Sequence, residues 1–228
     1  EHRGIKGVIF GPSGIGKTSL LWTLLNSTTL FFDLEAGDLA IEGLAIDAIR
    51  PRTWPECRDF AVFIGGPNPA LRADQTYSQA HFEAVCQKYG DPAVLAKYDT
   101  VFIDSITVAG RLCFGWCKGQ PEAFSEKTGK PDVRGAYGLH GREMIAWLTH
   151  LQHTRGKNVW FVGILDEKHD DFNRKVFSPQ LDGSKTGLEL PGIVDQVVTM
   201  IDIAGEDGAP QRSFVCHTLN PWGFPAKD

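Results

Sequence analysis

Nothing in this chain of 228 residues is apolar for long enough to cross a bilayer. The run Val159–Val162 continues through Gly163 only to Leu165, against the ~20 residues a spanning helix needs. No signal peptide is visible either. A cytoplasmic protein with no membrane partner is the expectation, resting on its cysteines and on a nucleotide-binding motif that belongs in a reducing compartment. The chain starts Glu1-His2-Arg3 with no initiator Met, so a short natural N-terminal segment is expected to precede it. Cysteine is sparse and odd in number: Cys57, Cys86, Cys113, Cys117 and Cys216 do not form a disulfide framework, and free thiols in a reducing compartment are expected. Cys113 and Cys117 are spaced C-x-x-x-C, but no second pair follows at the spacing of a structural zinc site. His150 and His153 lack a third ligand nearby, and a solvated polar face is expected there. No Asn-Lys-x-Asp guanine motif occurs, no internal repeat is found, and no Pro/Gly/Ser-rich linker divides the chain. Residues 1–228 therefore read as a single domain.

What is present begins at Gly11. Residues Gly11-Pro12-Ser13-Gly14-Ile15-Gly16-Lys17-Thr18 match the G-x-x-x-x-G-K-[ST] phosphate-binding loop in full. The apolar run Gly7–Phe10 before the loop suits a buried strand, and Thr18–Leu25 after it suits a helix. Glycines at 11, 14 and 16 let backbone N–H groups turn inward around a phosphate, and a helix start adds positive potential at the same place. On this reading Gly11 through Ser19 cradle a nucleoside triphosphate. Lys17 reaches the β and γ phosphates, and the Thr18 hydroxyl helps to hold Mg²⁺.

Two further segments supply acids. Thr100-Val101-Phe102-Ile103-Asp104-Ser105 is an apolar strand ending in a carboxylate, the form of a Walker B element, in which Asp104 serves Mg²⁺. Leu30-Phe31-Phe32-Asp33-Leu34-Glu35 is a second such run, just past the phosphate loop. In a doubly wound sheet, acids at strand ends face the ligand, and one of them can orient and deprotonate the attacking water. Glu35 is the candidate base and Asp33 its competitor. Side chains alternate along a strand, so both point the same way and the sequence does not separate them.

These residues carry a resemblance. Phe31–Ala36 looks like the strand of RecA-type recombinases that ends in their catalytic glutamate, and Val101–Ser105 is similar to their Walker B strand. The motif order agrees. In more detail, the chain resembles small RecA-core ATPases of phages and prophages, some of which act in single-strand annealing. Their late Leu-Pro-Gly-x-x-Asp segment is matched by Leu190–Asp195, and their Asn-Pro-Trp by Asn220–Trp222. The resemblance implies ATP and Mg²⁺, hydrolysis by Lys17, Asp104 and Glu35, single-stranded DNA as partner, and homo-oligomers with nucleotide between subunits. One departure is the fourth core strand, which lacks a γ-phosphate-sensing Gln and offers Asp166 or Lys168 instead.

The expected architecture is an α/β RecA-like P-loop NTPase core, with a mainly parallel twisted sheet covered by helices on both faces. Strands are expected at 4–10, 30–34, 100–104, 159–165, 197–201 and 214–218, and helices at 17–26, 75–89 and 139–154. An irregular stretch is expected through Pro51, Pro55 and Gly65–Pro69. Two long loops carry functional weight. The first, 113–137, holds Trp116, Phe124, Lys127, Lys130, Arg134 and Tyr137, a mixture of aromatic and basic residues that suits stacking on single-stranded bases with phosphate contacts. A solvated surface excursion explains the same composition. Six basic residues against three acids between Arg111 and Arg142 set that region apart from a chain whose net charge is −5. The second loop, 167–189, offers Arg174 and Lys185 as residues that complete a neighbouring subunit's ATP site. A small-molecule kinase needs a more basic lid than this loop, and a nucleotide-dependent scaffold would dispense with Glu35 as base.

Overall fold

The computed structural model describes residues 3–228. Eight strands form the sheet: β1 (Lys6–Gly11), β2 (Thr29–Asp33), β3 (Asp47–Ile49), β4 (Thr100–Asp104), β5 (Asn158–His169), β6 (Lys175–Pro179), β7 (Gln196–Ala204) and β8 (Pro210–Val215). Five α-helices accompany them: α1 (Trp54–Gly65), α2 (Gln79–Tyr89), α3 (Ile106–Cys117), α4 (Val133–Gln152) and α5 (Ser184–Ile193). The order across the sheet is β3-β2-β4-β5-β1-β7-β8, with β6 paired to the far end of β5. All pairings from β3 to β7 are parallel, whereas β5–β6 and β7–β8 are antiparallel hairpins. This is the mainly parallel α/β sheet expected around a phosphate-binding loop. A strand, β5, is inserted between the phosphate-loop strand β1 and the Walker B strand β4.

The central strands are buried on both faces, which is why β1, β2 and β4 read as nearly unbroken apolar runs. Their side chains still alternate. Leu30 and Phe32 join the large core under the α-helices, with Trp54, Trp147 and Phe161, while Phe31 joins Leu21, Ile41, Phe102 and Val162 on the other face. That second face is covered by short 3₁₀ turns, among them Thr18–Thr23 and Asp38–Ile41. Phe32, Trp54 and Phe161 all meet the ring of Trp147, with centroids 5.7–6.2 Å apart. Truncating Phe161 to Ala would cost about 3–5 kcal/mol through the cavity it leaves.

Several expected boundaries are corrected. The helix expected at 17–26 is two 3₁₀ segments, Thr18–Thr23 and Asn26–Thr28. Thr23 sends its hydroxyl back to the Leu20 carbonyl at 2.7 Å, and β2 begins too soon for a full helix. The stretch expected to be irregular holds β3 and α1, and residues 66–78 are free of helix and strand as expected. Thr53 and Glu56 form a reciprocal capping box at the start of α1, with Pro55 in the first turn where its missing N–H is harmless. The helix expected at 75–89 starts only at Gln79, capped by Ser78. The expected loop 113–137 is mostly helical, being the end of α3, a 3₁₀ turn at Pro121–Ala123 and the start of α4. The irregular part of it is residues 124–132, closed by a bridge between Phe124 and Pro131. The expected loop 167–189 holds the β5–β6 hairpin and the first turns of α5. His150 is not on a solvated face, because its ring stacks on Tyr77 at 4.3 Å, while His153 is exposed.

Candidate nucleotide site

The C-terminal ends of β1, β2 and β4 lie along one edge of the sheet. Asp33 sits opposite Asp104, Asp104 opposite Val162, and Gly11 opposite Ile164. Parallel register thus brings the phosphate loop and both acidic strand ends into one place. Gly14 and Gly16 have φ of +79° and +98°, conformations that a side chain would strain. Because the segment after the loop is a 3₁₀ turn, the loop's own N–H groups rather than a long helix dipole form the anion cradle.

Lys17 is buried, and its ammonium donates to the carbonyls of Gly11 at 2.9 Å and Pro12 at 2.7 Å. Burial lowers its pKa, and the charges of Asp104 and Glu35 partly offset that. The Thr18 hydroxyl donates to Asp104 at 2.5 Å. Burial pushes the Asp104 carboxyl up to about 6, the Thr18 hydrogen bond opposes this, and the neighbouring Glu35 charge adds to it. A hydroxyl and an underneutralised carboxylate at hydrogen-bonding distance suit a hard cation such as Mg²⁺, which takes most of its ligands from phosphate and water. Among the described residues no cluster of three or more His, Cys, Asp or Glu is placed to hold a metal by itself.

The two competing acids have different surroundings. Asp33 is buried: one oxygen accepts from the backbone N–H groups of Ala36 and Gly37, and the other from Arg50 Nε at 3.0 Å. It holds the turn after β2. Glu35 lies beyond the strand end, so the expected alternation stops at Asp33, and it is exposed. It accepts from the hydroxyl of Ser105, which follows Asp104 across a cis peptide bond and also caps α3 by accepting from Val108 N. Two hydrogen bonds, Thr18 to Asp104 and Ser105 to Glu35, thus join side chains around one point, and Lys17 feels the charges of Asp104 and Glu35 there.

Of the other residues expected at the loop, Ser13 and Ser19 are exposed, Pro12 is half-buried and Ile15 packs against Met200. Lys127 and Lys130 are exposed on the 124–132 segment, and Arg134 and Tyr137 are exposed on the first turns of α4. Tyr137 stacks on Phe114 at 4.5 Å. Trp116 is covered by the Arg58 guanidinium at 4.5 Å. Arg174 is tied to Asp170 at 2.7 Å in the β5–β6 turn, and Lys185 faces Glu189 at 3.8 Å on α5. Asp166 and Lys168 pair with each other at 3.2 Å on the hairpin extension of β5. Sequence reasoning missed Arg50, which neutralises Asp33, and Arg212, whose guanidinium lies against Gly16. Neither belongs to a motif.

A family model described as an AAA domain matches residues 3–228, and the chain belongs to that family. With the phosphate loop and the strand order, this makes it a nucleotide-binding domain of the P-loop ATPase class. Comparison with curated proteins gives no match. Among solved structures it is similar to a KaiC-like protein of the hyperthermophilic archaeon Pyrococcus horikoshii, at 12% identity and a TM-score of 0.41, over 93% of this chain and 78% of that one. Among the described residues no helix is long and apolar enough to cross a membrane.

Proposed function

We propose that this protein binds ATP with Mg²⁺ and hydrolyses it, acting as a homo-oligomer on single-stranded DNA. The observation that carries the enzymatic part is the meeting of Lys17, Thr18, Asp104 and Glu35 at one sheet edge. When nucleotide enters, Lys17 exchanges its two carbonyl partners for phosphate oxygens. Thr18 and Asp104 would hold Mg²⁺, which would supply charge neutralisation at the phosphates. Glu35, exposed and steadied by the Ser105 hydroxyl, orients a water and accepts its proton.

The DNA part is supported by the exposed Lys127, Lys130, Arg134 and Tyr137 and by resemblance in motif order, which is analogy at the level of the family. The same resemblance supports a role in phage or prophage recombination or replication. Arg174 and Lys185 are exposed enough to reach a neighbouring subunit's nucleotide once their local ion pairs open. The test is ATP hydrolysis with and without single-stranded DNA at two salt concentrations, alongside Lys17→Ala. DNA-stimulated turnover that vanishes in the variant supports the reading. Turnover indifferent to DNA, with no binding at low salt, removes the DNA part.

A further inference from the structure

The β7–β8 hairpin runs past the end of β1. Phe10 is opposite Thr199, but β7 continues to Ala204, and β8 returns alongside it with Arg212 opposite Asp202. This overhang flanks the phosphate loop. A Cβ built on Gly16 would lie 2.8 Å from Arg212 Nη1 and 3.4 Å from its Cζ, so the guanidinium rests on the loop where only glycine leaves room.

Most other cations near acids in this structure are committed. Arg50 holds Asp33, Arg58 holds Glu143, Arg174 holds Asp170 and Lys168 holds Asp166. Arg212 is different. Among the described residues it has no carboxylate partner, and even Asp202 across the hairpin forms no ion pair with it. An exposed arginine without a counter-charge, seated on a loop built to receive phosphate, matches a phosphate-bearing ligand in charge and in donor geometry. Lys17 already faces the charges of Asp104 and Glu35 at this site, so a triphosphate needs further positive charge.

We propose that Arg212 grips the phosphate chain of the nucleotide in cis, from β8 of the same subunit that supplies the loop. This rests on the ATP-binding reading above and adds to it a residue outside the phosphate-loop and Walker B motifs. It also makes the grip on the phosphates independent of assembly. The planar fork can take two phosphate oxygens at once, and Lys in its place would supply charge without that fork.

The experiment is equilibrium binding of ATP and of inorganic tripolyphosphate, each with magnesium, to wild type, Arg212→Ala, Arg212→Lys and Lys17→Ala. Thermal unfolding without ligand checks that each variant is folded. Arg212→Ala is expected to weaken both ligands to a similar degree, on the order of tenfold, with partial recovery in Arg212→Lys and a shallower salt dependence. Unchanged tripolyphosphate binding, with or without weaker ATP binding, would overturn the proposal, because Arg212 would then touch base or sugar or nothing. Mixing Arg212→Ala with Lys17→Ala tests the cis arrangement. Recovery of ATP binding in the mixture would show a site shared between subunits and would overturn it. Wild type that bound neither ligand would instead remove the ATP-binding reading itself.

Discussion

The hydroxyl of Thr18 donates to the carboxylate of Asp104 at 2.5 Å, joining the end of the phosphate loop to the end of β4. These residues are far apart in the sequence, and β1 and β4, the strands that lead to them, are separated by β5, yet parallel register brings them together. Asp104→Asn keeps the shape and removes a buried charge that burial already disfavours. The variant is expected to unfold at the same temperature as wild type or higher without ligand. It should lose most of the stabilisation by MgATP, which for wild type is about 2.7 kcal/mol at a hundredfold excess over Kd. Thermal shifts with and without MgATP check this, and an undiminished shift would argue against Asp104 in cation binding.

Glu35→Gln separates binding from chemistry. Glu35 is exposed and bonded to Ser105, so the amide should leave the fold and MgATP affinity nearly unchanged. Hydrolysis is expected to fall by roughly 10²–10⁴-fold, the usual worth of a general base. Single-turnover assays read this directly. A variant that still turns over at the wild-type rate would favour Asp33 or a base from another subunit.

The 124–132 segment and the start of α4 present Lys127, Lys130 and Arg134 to solvent. Replacing all three with Ala is expected to weaken single-stranded DNA binding and to flatten its log–log salt slope by about 0.7 for each phosphate no longer neutralised. Fluorescence anisotropy across a salt series gives both numbers. An unchanged slope would move the DNA site elsewhere.

His150 predicts a pH effect on stability. Burial against Tyr77 lowers its pKa to about 4, with the charges of His153 and His81 adding to the effect, although hydrogen bonding to the Gly66 backbone opposes it. An unfolded histidine takes up its proton near 6.5, so the unfolded state binds more protons between pH 6.5 and 4. This contribution is complete above pH 6.5 and is lost as pH falls toward 4, amounting to about 3 kcal/mol. His150→Phe keeps a ring on Tyr77 and should flatten denaturation midpoints over that window. A variant whose midpoints still fall as steeply as those of wild type would assign the effect to other groups.

Thr53 caps α1 by accepting from Glu56 N at 3.3 Å, while Glu56 accepts from the Thr53 backbone at 3.1 Å. Thr53→Ala is expected to cost about 1 kcal/mol and to lower Tm by about 2–4 °C. Calorimetry would show it. Thr53 makes none of the contacts of the nucleotide site, so MgATP should stabilise the variant by the same increment as wild type.

Much of the core was legible because its signals are local. Gly11–Thr18 names its own chemistry, and the buried strands β1, β2 and β4 are apolar on both faces, as a parallel sheet requires. The helix α1 also had a local signal, Thr53-Trp54-Pro55-Glu56, but Pro55 and the preceding Pro51 masked the capping box. The helix α5 was obscured by Pro191 and Gly192 near its end. The separation of Asp33 from Glu35 was not legible, since it depends on Arg50 and Ser105 arriving from other strands' ends. Arg212 is the clearest case: in sequence it is one charge in a polar hairpin, and only the overhang of β7 and β8 brings it to Gly16.

The central claim is an ATP site built on Lys17, and calorimetric titration of MgATP into wild type and Lys17→Ala tests it most directly. Saturable binding to wild type, with one site per chain and affinity lost in the variant, is the predicted result. No binding to wild type, or equal binding to both proteins, would contradict it.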